Sequence, residues 1–431
     1  MPVRRTRPLR SIAIGLCVFG FTGCSLLVDT SGLTGGASTA TSDGGGADGS
    51  SNGDAKTADG ASNDGSTAST ILLAAGGNST CARVRGRLFC WGANADGQLG
   101  DGTKEERGAP VAVIGLSGDI SAIAVGETHA CAVVAGDVWC WGDGSEGELG
   151  DGNKLETPTP VKVTGLASGQ ATSVSAGSRF SCAIVAGSTY CWGLNNRGQV
   201  GGEVGDIAPT PVKVAFADPS GPGTMAEVSC GQDHACARAT SGDIHCWGHN
   251  DNGTLGSPGL ATNASIYKGA KVQGLPGPAE RLSFAGWHAC VTIGGGVWCW
   301  GTGDSGELGN GAGTSSIQPV AAKGLESGVT ALWVGGGADD GDATCAVQSG
   351  AVFCWGHGQR GRLGMANGIR KIPTAVPSIT ANATAITAGY LHACAVVGEA
   401  IRCWGAGDSG QLGNDLGQDS TSPVDVKLSV Q

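Results

Sequence analysis

The sequence predicts an all-β fold: a seven-bladed β-propeller of four-stranded antiparallel blades, with one cross-strand disulfide per blade. Three observations lead there. Seven times a cysteine is followed, nine or ten residues later, by a second cysteine that opens Cys-Trp-Gly. The tryptophans of these tripeptides (Trp91, Trp141, Trp192, Trp247, Trp300, Trp355, Trp404) lie 50, 51, 55, 53, 55 and 49 residues apart, the period of a tandem array with one supersecondary unit per repeat. Each repeat also carries signals for four short strands, and radial repetition protects their sheet edges without one oversized core. A linear β-solenoid is the alternative, although its coils would run shorter than about 50 residues.

The chain opens with Arg4, Arg5, Arg7 and Arg10 ahead of an apolar run over 12–21, a secretory leader too short to span a bilayer. Thr22-Gly23-Cys24 follows, and small residues just before a cysteine resemble the bacterial lipobox, with Phe21 where leucine is more usual. That resemblance implies cleavage of residues 1–23 and a diacylglycerol on the sulfur of Cys24; ordinary secretion is the alternative. Either way the mature chain is expected outside the cytoplasm, where cystines persist, and with the lipid it is a membrane-anchored lipoprotein of the periplasm or cell surface. Residues 24–69 are rich in Ser, Gly, Asp, Thr and Ala. Such a segment cannot offset its ordering entropy, so the lipidated cysteine is expected on a disordered tether with a reach of roughly 35–40 Å. Residues 70–431 hold the seven repeats.

Each repeat begins with a short strand that ends in small residues and glycine, as at Ile120 to Gly126, Ser173 to Gly177, Glu227 to Gly231 and Thr384 to Gly389. A hairpin follows. Its midpoint falls on Arg85-Gly86, Ala135-Gly136, Ala186-Gly187, Gly294-Gly295 and Ser349-Gly350, dipeptides suited to a type I′ turn with positive φ at both places. Gly398-Glu399 has glycine first and suits type II′, and Thr240-Ser241-Gly242 suits a three-residue loop with glycine in the αL position. Counted outward from such turns, the cysteines Cys81/Cys90, Cys131/Cys140, Cys182/Cys191, Cys236/Cys246, Cys290/Cys299, Cys345/Cys354 and Cys394/Cys403 face each other on a non-hydrogen-bonded rung. Cα atoms there are about 4.5 Å apart, within disulfide reach. Seven small closed loops are worth roughly 2–3 kcal/mol each. A metal centre is the competing reading, but no Cys-x-x-Cys occurs and the spacing fits a ladder. With Cys17 in the leader and Cys24 at the lipid site, only Cys230 is left over. It fills the small-residue slot of Ala176 and Ala388 and reads as a buried, inert thiol. The fourth strand is expected to open with proline, at Pro110 to Gly115, Pro160 to Gly165, Pro211 to Val214 and Pro423 to Leu428.

The loop after Cys-Trp-Gly reads Asn94-Ala95-Asp96-Gly97-Gln98-Leu99-Gly100 and recurs as Gly147-Glu148-Leu149-Gly150, Gly198-Gln199-Val200-Gly201, Gly306-Glu307-Leu308-Gly309 and Gly410-Gln411-Leu412-Gly413. With the His-Ala-Cys segments at His129, His234, His288 and His392, this resembles the regulator of chromosome condensation repeat family over nearly all of residues 70–430. The resemblance implies the propeller fold. It leaves function open, because one wheel hosts unrelated binding roles. The family's namesake is a nuclear guanine-nucleotide exchange factor, whereas bacterial relatives include a secreted propeller that inhibits β-lactamase. Export, cystines and a repeat length with no room for a long insertion between blades all set this chain apart from the namesake, so exchange activity rests on analogy alone.

The whole chain carries a net charge of −11, and the leader takes four arginines and no acid with it. An acidic globule repels phosphate backbones and anionic lipid surfaces, which excludes nucleic acid as a partner and leaves the lipid as the membrane anchor. No nucleophile elbow, phosphate loop or His-Glu-x-x-His motif occurs, and the Asp/Gly loops lack the alternating carboxylates of a calcium site. The four repeat histidines are replaced by Ser79, Phe180 and Ala343 in the other blades, which marks a packing and hydrogen-bonding position. No enzyme, cofactor or metal is therefore expected; a hydrolase site assembled across blades is the remotest reading. The residues that break the symmetry enter the hairpins: Asn78, Glu127, Arg179, Asp233, Trp287, Asp339, Asp340 and Tyr390. Varied charge with two aromatics at exposed loop tips suits a protein-binding rim, with unrelated solvated loops as the bland alternative. The expected protein is a monomeric, non-enzymatic wheel that binds an unidentified partner protein through one face; a carbohydrate or cell-wall adhesin is the rival.

Overall fold

A computed structural model describes residues 25–26, 71–218, 221–337 and 341–428. Blade 1 runs from the inner strand Leu72–Gly76 through the hairpin strands Ser79–Val84 and Arg87–Gly92 to the outer strand Arg107–Ala112. Neighbours in sequence are neighbours in the sheet, and every pairing is antiparallel. Six further four-stranded sheets repeat this order, the last being Ala383–Ala388, His392–Val397, Ala400–Gly405 and Ser420–Asp425. Each blade is built from one repeat, so blade 7 meets blade 1 without exchanging a strand.

The turn chemistry read from the sequence holds. Arg85, Ala135, Ala186 and Ser349 have φ of 50–51°, and the glycines after them have φ of 71–79°. Gly294-Gly295 adopts 57° and 71°, Gly398 alone is positive in its turn, and Gly242 takes 87° at the end of its three-residue loop. These turns bring each cysteine directly opposite its partner, and the disulfides are Cys81–Cys90, Cys131–Cys140, Cys182–Cys191, Cys236–Cys246, Cys290–Cys299, Cys345–Cys354 and Cys394–Cys403. All fourteen half-cystines are buried, at no more than 1% exposure, so they belong to the core of the wheel and not to a surface site. Cys230 is the free cysteine among the described residues and is fully buried opposite Ala235, as Ala176 is opposite Ser181.

Two expectations are corrected. The first is the spacing of the cystine rungs: their Cα atoms lie 4.0–4.1 Å apart, closer than the expected spacing of about 4.5 Å. A disulfide needs its Cβ atoms about 3.8 Å apart, and no ladder bond on such a rung holds the two strands open. The second is the outer strands, which start earlier than their prolines: Arg107–Ala112 and Thr157–Lys162 each hold proline near their end. The second cysteine of each pair marks where this strand docks. Cys90 faces Val111, Cys140 faces Val161, Cys191 faces Val212 and Cys246 faces Ala270. Cys299, Cys354 and Cys403 face Val320, Thr374 and Val424 in the same way. Immediately beyond, the register slips, with Gly92 opposite Arg107 in blade 1. Pro110 occupies that bulge, where its missing N–H costs no ladder bond. Within the segment 24–69, Ser25–Leu26 pairs with Ala74 and Leu73 of the inner strand of blade 1. An unpaired strand edge offers a template for such a passing segment. The leader, Cys24 and residues 27–70 lie outside the described residues.

The hydrophobic core is divided into seams between blades. Leu72, Ala74, Cys81, Cys90 and Leu99 of blade 1 pack with Ile120, Ile123, Val125, Ala130 and Trp141 of blade 2. Blades 7 and 1 close the ring with the same pattern around Trp91, Leu412, Val396 and Ile401. All seven repeat tryptophans are buried, at no more than 1% exposure.

Candidate functional site: the loop face

Antiparallel order sends the inner-strand-to-hairpin loops and the loops after Cys-Trp-Gly to one end of the wheel. The two-residue turns go to the other. Long loops thus gather on one face, and the local rules that shape them come first.

Every repeat tryptophan donates its indole N–H across a seam. Trp141 Nε1 reaches the Gln98 carbonyl at 2.9 Å, Trp192 that of Glu148 at 2.7 Å, Trp247 that of Gln199 at 2.9 Å and Trp300 that of Thr254 at 2.9 Å. Trp355, Trp404 and Trp91 do the same with Glu307, Arg362 and Gln411. The glycine two residues after each carbonyl lies under the ring: a Cβ on Gly100 would stand 2.8 Å from Trp141 Nε1, and one on Gly150 2.7 Å from Trp192 Nε1. The Gly-Gln-Leu-Gly loop is therefore an inter-blade clasp. Its Gln or Glu side chain folds back to accept a backbone N–H two residues earlier, Asp96 to Gln98 at 3.0 Å and Glu146 to Glu148 at 2.9 Å, so either residue type serves.

The histidines add a second link. His129 Nε2 donates to Ser181 Oγ at 2.8 Å, and that hydroxyl donates on to the Glu148 carbonyl at 3.0 Å. His288 to Thr344 to Glu307 and His392 to Thr80 to Gln411 are the same relay. Burial holds His129 down at about 4 and His392 at about 3, so these rings are neutral. His234 faces Ala289 instead of a hydroxyl; its ring packs on Phe284 with centroids 4.3 Å apart, and burial holds it at about 3. The histidine position is thus structural, as the sequence indicated. Among the described residues no group of three or more His, Cys, Asp or Glu is placed to hold a metal.

The asymmetric residues Asn78, Glu127, Arg179, Asp233, Trp287 and Tyr390 do share the loop face, but none is fully exposed. Glu127 accepts from Ser178 Oγ at 2.6 Å, and burial pushes its carboxyl up, partly offset by that bond and by Arg179. Burial raises Asp233 as well, against Arg197 and His249. Trp287 and Tyr390 are half-buried, not free tips. The Trp287 ring stacks beside His234 at 6.0 Å, and the backbone N–H of Trp287 donates to Asp342 at 2.7 Å; Arg362 donates to the Tyr390 carbonyl at 2.9 Å. Neighbouring blades crowd these loops, which is why they are covered. Asp339 and Asp340 lie outside the described residues. Asp342 was missed: it lies in the strand Gly341–Gln348 of blade 6 and reaches back to Trp287 of blade 5, although it directly precedes the histidine slot, the place that Asn78, Arg179, Asp233 and Trp287 hold in their blades. The relay was missed too, although Thr80, Ser181 and Thr344 each stand one blade after a histidine.

Fold and loop face together define a propeller whose chemistry is seam-building below and varied display above. Models of the regulator of chromosome condensation (RCC1) repeat match residues 85–133, 135–184, 186–238 and 349–396, and a second such model matches 226–254, together half of the chain. The chain belongs to this repeat family. It is similar to the ultraviolet-B receptor UVR8 of Arabidopsis thaliana, 30% identical over 226 residues covering 51% of this chain and 49% of that one. It is also similar to the human E3 ubiquitin-protein ligase HERC2, 29% identical over 304 residues, 70% of this chain and 5% of that one. The chain spans about half or less of the length of these relatives. Human WBSCR16 superposes with a TM-score of 0.68 at 20% identity, over 80% of this chain and 95% of that one. Yeast RCC1 (Prp20), solved bound to Kap60, gives 0.67 at 22% identity over 80% and 84%. These likenesses show the fold.

Proposed function

We propose that this protein is a non-enzymatic binding wheel, held outside the cytoplasm by a lipid on Cys24, that captures a partner protein with its loop face. The observation that carries the reading is the contrast within the loops. Clasp and relay positions repeat because they hold the seams, whereas Asn78, Glu127, Arg179, Asp233, Trp287 and Tyr390 differ in residue type from blade to blade. Aromatic and arginine side chains at such a face are the usual anchors of protein interfaces. Support by likeness comes from yeast RCC1, which has been solved with a protein bound.

Capture from envelope extract tests it. Trp287→Ala and Tyr390→Ala should each weaken partner capture by about 1–3 kcal/mol, while Glu399→Ala, in a turn on the opposite face, should leave it unchanged. Loss of capture with Glu399→Ala and not with the rim variants puts the docking side on the turn face, and selective binding on a glycan array replaces the protein partner with a saccharide. For the anchor, Cys24→Ser should move the protein from the membrane to the soluble fraction; a variant that stays with the membrane rejects the lipid.

A further inference from the structure

We propose that Glu148 is a proton-operated latch between blades 2 and 3: its carboxyl is protonated while the loop Gly147-Glu148-Leu149-Gly150 is seated on blade 3, and loss of that proton loosens this one seam. The backbone carbonyl of Glu148 is the acceptor for both Trp192 and Ser181 of blade 3. Its side chain is fully buried. Oε2 accepts from the Glu146 N–H, and Oε1 is buried without a hydrogen-bond partner among the described residues. A carboxylate would leave that oxygen charged and bare, whereas a carboxylic acid has the shape and one-acceptor, one-donor character of glutamine.

The other blades supply the comparison. Gln98, Gln199 and Gln411 fill this position in blades 1, 3 and 7 and accept the same backbone N–H through Oε1, from Asp96, Arg197 and Ser409. Where the side chain is an amide, Nε2 donates to Asn196 at 3.3 Å in blade 3 and to Asp408 at 3.4 Å in blade 7. In blade 2 the corresponding residue is Ser145. The charged groups that act on Glu148 are Asp143 and Glu146 on its own loop, and the titratable ring of His129 reaches its backbone carbonyl through Ser181 of blade 3. Burial, then Asp143, push the Glu148 carboxyl up to about 8. Glu307 in blade 5 is also raised by burial, but His288 pulls against it.

The native state therefore holds a proton on Glu148 that the unfolded chain releases near 4.5. Stability from this group is complete below about 4.5 and is lost as pH rises toward 8. The buried histidines act in the opposite direction: held low in the fold, they contribute stability above their ordinary value near 6.5 and lose it in acid. In acid the histidines are joined by Asp101, Asp137, Asp243 and Asp419, which their hydrogen bonds hold below the ordinary carboxylate value, whereas Glu148 acts on the alkaline side.

Denaturant unfolding of the disulfide-intact chain between pH 5 and 9 reads the difference. From about pH 6.5 to 8 the wild-type unfolding constant should rise by up to about tenfold per pH unit, one proton's worth, and Glu148→Gln should remove that rise. Hydrogen-exchange protection of amides 144–150, corrected for intrinsic rate, should fall over the same interval in the wild type alone. An undiminished alkaline limb in Glu148→Gln overturns the latch. So does a carboxyl carbon resonance of Glu148 in the wild type that titrates near 4.5 rather than near 8, a measurement that needs no substitution.

Discussion

The seam between blades 2 and 3 and the seam between blades 4 and 5 are built on one plan and part where a hydroxyl meets the buried histidine. Both carry the indole clasp, Trp192 to Glu148 and Trp300 to Thr254. Both place a buried histidine at the start of the hairpin. At the first seam Ser181 accepts from His129, and at the second Ala289 offers nothing, so both ring nitrogens of His234 are buried without a hydrogen-bond partner among the described residues. Elsewhere the pairing is consistent. His288 and His392 are followed one blade on by Thr344 and Thr80, while Ser79, Phe180 and Ala343 are followed by Ala130, Ala235 and Ala393. The clasp is thus a common seam element and the relay an optional one, installed as a pair.

Breaking what the two seams share should have the largest effect. Trp192→Ala and Trp300→Ala should each lose about 3–5 kcal/mol, because each empties a large buried site and orphans a loop carbonyl. Urea unfolding of the oxidised chain reads both. Similar losses at the two seams support a common clasp, and a much smaller loss at Trp300 would show that the seam between blades 4 and 5 is held by something else.

Removing what only the first seam has comes next. Ser181→Ala should cost about 1–3 kcal/mol, since it leaves His129 Nε2 buried and unbonded, as His234 already is. The double change His129→Phe with Ser181→Ala copies the Phe180/Ala235 pair of the next seam. It should cost less than Ser181→Ala alone, because replacing both partners of a buried hydrogen bond by apolar groups of similar shape is nearly neutral. Equal costs for the single and the double would mean that the hydroxyl matters only to the Glu148 carbonyl.

Much of this wheel could be read from its spacing. Turn dipeptides fixed the hairpin register, and the register put Cys81 opposite Cys90 and its six counterparts likewise, because a strand repeats every two residues and leaves no freedom once the turn is set. Links between blades were not legible in the same way. Trp141 and Gln98 are 43 residues apart and His392 and Thr80 are 312 apart, separations that no local pattern encodes. The outer strands were misplaced because proline punctuates without saying whether it begins a strand or sits in its bulge. On the rim, sequence variation picked out loops that share one face, yet side-chain exposure depends on the crowding of adjacent blades, and Trp287 and Tyr390 proved half-covered.

The smallest and most diagnostic change runs in the opposite direction, giving the second seam what it lacks. Ala289 is fully buried and pairs with Trp300, as Ser181 pairs with Trp192. A serine there has the Thr254 carbonyl as acceptor and His234 as donor, the same two partners Ser181 uses. The His234 ring must turn to meet it. A Cβ on Gly231 would approach its Nε2 at 3.0 Å, whereas on Gly126 the nearest ring atom of His129 is Cε1. Some of the gain is spent on that rotation, so Ala289→Ser should stabilise the chain by about 0.5–1 kcal/mol near pH 7. The gain should vanish when His234→Phe is added, because a phenyl ring donates nothing to the new hydroxyl. Stabilisation that survives in the double variant would assign the gain to the carbonyl alone, and a destabilised Ala289→Ser would show that the blade 4 to 5 seam is packed around alanine too tightly to accept the relay.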